Sequence, residues 1–116
     1  MDNRNDGRPA RAYAIAHLGE VRMGEEIVSY LRGIDATLAP FGGRFIVHGG
    51  APTVLEGTWS GDLVMIEFPD RDSALAWYES EAYQRILPLR TRNASGPVIV
   101  MEGVGADHVA TDILSS

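Results

Sequence analysis

Five side chains able to move a proton or hold an anion lie on stretches that read as β-strands. Tyr13 and His17 share one face of RAYAIAHL (11–18), with Ala12, Ala14, Ala16 and Leu18 on the other. Arg44 and His48 alternate with Phe45 and Val47 in GRFIVH (43–48). Glu67 alternates with Val64, Ile66 and Phe68 in LVMIEF (63–68). If Phe45, Val47, Val64, Ile66 and Phe68 face the helices, strict alternation turns Arg44, His48 and Glu67 the same way as Tyr13 and His17. That face would gather one carboxylate, two imidazoles, one guanidinium and one phenol around an apolar centre. The chemistry implied is proton transfer. His48 is the candidate general base, because imidazole changes charge near neutral pH, and Glu67 is a second proton acceptor. Arg44 would clamp a substrate carboxylate with its planar fork.

Each residue also has a plainer reading. Glu67 beside Arg44 or a histidine would satisfy a buried charge across a dimer. Arg44 could equally pair with Glu56. His17 and His48 would be ordinary hydrogen-bonded strand residues. Glu56 and Trp59, on the connection VLEGTWSG (54–61), would either shape a pocket mouth or organise the turn and pack on a partner. Arg90, after Pro88, would reach the pocket or only solvent. Trp77, Tyr78 and Tyr83 have helical spacing and read as core. His108 sits in the tail, without an assigned role.

Other chemistries find no support. The chain has no cysteine, which removes disulfides, thiolate catalysis and cysteine metal sites. No HExxH and no ligand-spaced aspartate cluster points to a metal. The glycine pairs at 42–43 and 49–50 are not a GxGxxG fingerprint and open no helix, so no dinucleotide is expected. There is no serine elbow. A formal net charge of −6 and a pI of 4.9 argue against nucleic acid and against an anionic membrane surface. No apolar run approaches the roughly 18–20 residues of a membrane span. The expected setting is cytoplasmic, with no cofactor.

The elements that must position these residues follow from spacing. A chain of 116 residues fits one domain. Residues 24–41 read as a helix, with Ile27, Val28, Leu31, Ile34, Leu38 and Phe41 making one apolar stripe, closed by Pro40, Gly42 and Gly43. Asp70 stands as N-cap before a helix over 73–80. A second helical stretch over 81–87 is expected to stop at Pro88, and GPVIVME (96–102) is the last strand. The order is α+β, a ferredoxin-like βαββαβ with an antiparallel four-stranded sheet. Residues 1–10 read as a disordered lead-in, 11–104 as the domain and 105–116 as a tail. Val109, Ile113 and Leu114 of that tail either hang loose or dock on a partner. Both helical segments must cover one sheet face. Ile15, Ile46, Leu63 and Met65 are left on the other, which calls for a partner, and a two-fold copy would close a barrel.

The stretches GGRFIVHGG, VLEGTW and VMIEFPDRDSALAWYESEAYQ, with Arg90 downstream, resemble the DUF1330 family of unknown function. The resemblance runs from about Ala12 to Glu102. His48 departs from it, since many relatives carry arginine or another polar residue there. The resemblance implies the dimeric α/β-barrel superfamily, which also holds cofactor-free monooxygenases, haem-binding enzymes and lactone isomerases. The expectation is therefore a homodimer with a small-molecule ligand in a barrel pocket. An enzyme of this kind would oxygenate or isomerise a polar or aromatic acid by proton transfer, without metal or dinucleotide. The alternatives are a non-catalytic small-molecule binder and a structural dimer, the last with no cavity able to hold a ligand.

Overall fold

Period-two alternation and β-branched or aromatic side chains produce four strands: β1 (Ala12–Leu18), β2 (Arg44–His48), β3 (Asp62–Phe68) and β4 (Val98–Glu102). The structure, a computed structural model, describes residues 10–115. The expected lead-in therefore lies, apart from Ala10, outside the described residues. Three helices complete the domain: α1 (Glu25–Leu38), α2 (Arg71–Glu79) and α3 (Glu81–Thr91). The sheet order is β2-β3-β1-β4 and every pairing is antiparallel, the ferredoxin-like arrangement.

The helix ends have local causes. Asp70 Oδ1 accepts from Ser73 N at 2.7 Å and starts α2. Ser80 ends α2 in extended backbone, and its Oγ then accepts from Tyr83 N at 3.2 Å to start α3. α1 ends at Leu38 and tightens into a 3₁₀ turn over Ala39–Phe41, rather than continuing as α-helix to Phe41. Gly42 follows at φ +72°, and at Gly43 a Cβ would meet Phe68 and Leu38 within 2.8 Å. Pro88 does not stop α3, which continues to Thr91. Proline removes one N–H from the ladder, but the turn after it is held independently. Arg92 N donates to Pro88 O, and Asn93 Nδ2 donates to Leu89 O at 2.9 Å.

All three helices lie on one face of the sheet. α1 packs along α3, and α2 lies over β1, β3 and β4. Ala14, Tyr30, Ile34, Leu38, Ile66, Phe68, Ala74, Trp77 and Tyr83 form the buried core. Phe68, Leu38 and Tyr83 are its largest fully enclosed side chains. The other face carries a row of apolar residues across all four strands. Val47 stands opposite Met65, Met65 opposite Ile15, and Ile15 opposite Ile99. Ile99 and neighbouring Met101 are about half exposed, at 49% and 53%. Residues 50–60, between β2 and β3, are exposed throughout, and Leu55 is 88% exposed. The tail ends in a 3₁₀ segment, Ala110–Ser115, in which Ile113 and Leu114 remain exposed.

Candidate functional site

β2 does not alternate strictly. Arg44 opposes Glu67 and Phe45 opposes Ile66, but the next pair is Val47 with Met65, followed by His48 with Val64. Ile46 is the extra residue of a β-bulge, so the strand changes face at that point. This corrects the placement of His48 and Val47. Val47 turns to the helix-free face with Met65, whereas His48 turns to the helix face beside Phe45. The two rings stack at 4.2 Å between centroids with planes 9° apart.

On the helix face His48 borders a cavity of about 290 Å³. The cavity lies between the sheet and α1 and α3, not on the face where alternation had placed it. Ala14 and Ala16 of β1 line it, and their short side chains leave the space open. Ile27, Tyr30, Ile34, Ile66, Trp77, Tyr83 and Arg90 give the buried wall. Met23, Leu31, His48, Gly50 and Asp62 are exposed wall residues and mark the mouth. Neither His48 ring nitrogen has a hydrogen-bond partner among the described residues.

Arg90 reaches the cavity rather than solvent. It is 8% exposed, and its guanidinium carbon lies 5.9 Å from the centre of the Tyr30 ring. The Tyr30 and Tyr83 hydroxyls are 2.6 Å apart. Burial first, then the Tyr83 hydroxyl, push the Tyr30 phenol far above its ordinary pKa, while Arg90 pulls the other way. Burial works against the Arg90 charge, but the two phenol oxygens outweigh it and raise its pKa. Among the described residues no carboxylate pairs with Arg90.

The end of α3 that carries Arg90 is fastened from outside. Arg92 donates to both oxygens of Glu26, the shorter bond being 2.7 Å, and Asn93 Nδ2 donates to Glu26 Oε1 at 2.8 Å. The Arg92 hydrogen bond, more than that of Asn93, holds the Glu26 carboxyl below its usual pKa. Arg22 bonds the Arg92 carbonyl, and Val21 bridges to Ala94.

The remaining expected site residues lie elsewhere. Glu67 faces away from the cavity, opposite Tyr13, and Arg44 donates to its Oε1 at 3.1 Å. Arg11 stands 3.8 Å from the same oxygen. The Glu67 side chain is 13% exposed and its pair with Arg44 forms within one chain, not across a dimer. His17 Nε2 donates to Ser60 O at 2.8 Å, and its ring lies 4.8 Å from that of Trp59. Trp59 Nε1 donates to Gly61 O at 3.0 Å. These two residues moor the 49–61 connection to the sheet. Gly61, at φ +85°, has the Leu18 carbonyl 2.4 Å from where a Cβ would stand. Glu56 is exposed on the same connection. Of the residues singled out by spacing, the cavity thus gathers His48 and Arg90, with Trp77 and Tyr83 from the aromatic stripe.

Tyr30 and Asp62 escaped the sequence reading. A signal existed for Tyr30: it sits within the apolar stripe of α1, where a phenol must find a partner. Asp62 gave none, being one acid at a strand start. Among the described residues, no three His, Asp or Glu side chains come together as a metal site. Among the described residues no helix is long and apolar enough to cross a membrane.

The model of a domain of unknown function, DUF1330, matches residues 11–104. No curated protein matches in sequence. Among solved structures, a protein of unknown function from Rhodopseudomonas palustris aligns with TM-score 0.62 at 14% identity, over 83% of this chain and 84% of that one. A dimeric ferredoxin-like protein of unknown function from Jannaschia sp. CCS1 aligns with TM-score 0.57 at 13% identity, over 80% and 97%. SnoaB from Streptomyces nogalater, a cofactor-independent oxygenase, aligns with TM-score 0.55 at 14% identity, over 81% and 93%. At such identities these likenesses concern the fold.

Proposed function

Since the chain belongs to DUF1330, a family of unknown function, we propose from its own geometry that it binds a small molecule between sheet and helices and acts on it by proton transfer at His48. One observation carries this reading: an imidazole whose nitrogens have no hydrogen-bond partner among the described residues stands at the mouth of a cavity of about 290 Å³, held flat against Phe45. That volume is near the lower bound of roughly 300–1,000 Å³ for ligand pockets. It argues against a purely structural dimer, which needs no such space. Imidazole can accept a proton near neutral pH, and the apolar wall would strengthen its interaction with the anion left behind. An isomerase returns that proton at another atom; an oxygenase passes the anion to dioxygen. The fold shared with SnoaB supports keeping the oxygenase among these outcomes.

The reading includes a homodimer. The row Val47–Met65–Ile15–Ile99 is apolar and spans the whole sheet; Ile15, Val47 and Met65 are half-buried, Ile99 is half exposed, and among the described residues the helices lie on the other face. A second copy placing the same row against it would bury both, and the dimeric neighbour of this fold supports that assembly.

The test is a substrate screen by oxygen uptake and by product analysis, followed by His48→Ala. The variant is expected to retain ligand binding and to lose turnover by about 10²-fold or more. Unchanged turnover in His48→Ala would remove His48 from the mechanism. A ligand that binds but is never converted would favour the non-catalytic reading.

A further inference from the structure

The Tyr30–Tyr83–Arg90 cluster is short of acceptors. A guanidinium carries a fork of N–H donors and no acceptor, and each phenol adds an O–H. One phenol proton is used in the 2.6 Å bond between the two hydroxyls. The other phenol proton has no acceptor among the described residues, nor has Arg90 a carboxylate. Arg90 is 8% exposed and lines the cavity; it is held by the two phenol oxygens and the Tyr30 ring but faces no carboxylate among the described residues, so its positive charge is left to be met by an anion from outside.

We propose that the ligand of this cavity is a compact apolar monocarboxylic acid whose carboxylate is clamped by Arg90 and one phenol O–H of the Tyr30–Tyr83 pair. This rests on the pocket reading above and adds the ligand's class and direction. The acid group enters first. The apolar body lies along Ala14, Ala16, Ile27 and Ile34, and the other end meets His48 at the mouth. One guanidinium balances one negative charge, so a monocarboxylate fits better than a phosphate dianion. Asp62 at the mouth repels a second negative group, which keeps the far end neutral. The latch of Arg92 and Asn93 on Glu26 fixes the helix end that presents the guanidinium.

The test uses three probes of one shape: 2-naphthoate, 2-naphthamide and 2-naphthyl phosphate. Binding is read by calorimetry and by quenching of tryptophan fluorescence. Wild-type protein is expected to prefer naphthoate to naphthamide by about tenfold or more, as a charge-assisted bond to a buried partner would give. Arg90→Gln should bring that ratio close to one. Because this variant can fail to fold, the Arg90 Nε–H resonance of the wild type is followed as well. It should move with naphthoate and stay still with naphthamide. Equal binding of acid and amide, or a still resonance, overturns the clamp and leaves the pocket reading standing. Preference for the phosphate overturns the carboxylate class. Binding of none of the three probes at millimolar concentration overturns the clamp and the pocket reading together.

Discussion

Phe45 and His48 stack ring on ring although they stand three positions apart on one strand, a relation that the bulge at Ile46 permits. The stack holds the imidazole at the cavity mouth without using either nitrogen. Phe45→Leu keeps apolar volume and removes the flat surface. The expected cost is below about 1.5 kcal/mol in stability, with kcat falling several-fold and ligand affinity little changed. Steady-state kinetics beside thermal melting checks this; a pure loss of stability would reduce the stack to packing.

Tyr30 should resist ionisation. Its folded pKa is raised, so the folded state holds the proton more tightly than the unfolded chain does. The stabilisation is complete below the unfolded value of about 10 and is lost as pH rises above it. Of the four tyrosines, Tyr30 should keep its proton in an ultraviolet titration until the protein unfolds. Tyr30→Phe should flatten the alkaline fall in stability and cost about 1–2 kcal/mol at neutral pH. A phenolate signal from Tyr30 in folded protein near pH 10 would contradict this.

Asp70 titrates in the opposite sense. Its hydrogen bonds to Ser73, side chain before backbone, lower its pKa. The cap therefore stabilises above the unfolded value of about 3.9 and is lost as pH falls through the folded one. Asp70→Asn should make the acid limb of stability shallower, measured by urea melts between about pH 2 and 5. An unchanged limb would show that α2 does not depend on the charge.

Gly61 has no room for a side chain. Gly61→Ala should cost at least about 1–2 kcal/mol and free the 49–61 connection. Trp59 would leave His17, and its emission should shift to the red. Wild-type emission in a fully folded variant would mean that the Leu18 carbonyl yields easily.

Ile15 lies in the middle of the apolar row, away from the cavity. Ile15→Lys should halve the mass by light scattering, from twice 12.6 kDa to 12.6 kDa, with circular dichroism unchanged. A wild-type mass of 12.6 kDa at micromolar concentration would end the facing-sheet proposal.

Much of the architecture was legible. Alternation in β1 and β3 assigned both faces correctly, because neither strand carries an irregularity. The same rule failed in β2, since a bulge is an extra residue visible only in the pairing with β3. That single residue moved His48 from the Glu67 face to the cavity. Arg90 stands seven residues after Tyr83, on the same side of α3, which is where a charge in an apolar stripe could have been noticed. Pro88 hid it, because the helix was expected to end there. The Glu67–Arg44 pairing was foreseen as one of two readings; spacing cannot distinguish a satisfied pair from a pocket.

The alanines of β1 separate two properties that a small fold usually ties together. Ala14 and Ala16 set the depth of the cavity, while Tyr13, Ile15 and His17, interleaved with them, point to the opposite surface. Each methyl added at position 14 or 16 makes the cavity shallower without touching the apolar row on the other face. Cavity depth can thus change by single-residue steps along one central strand, with the opposite sheet face and the 49–61 connection left alone.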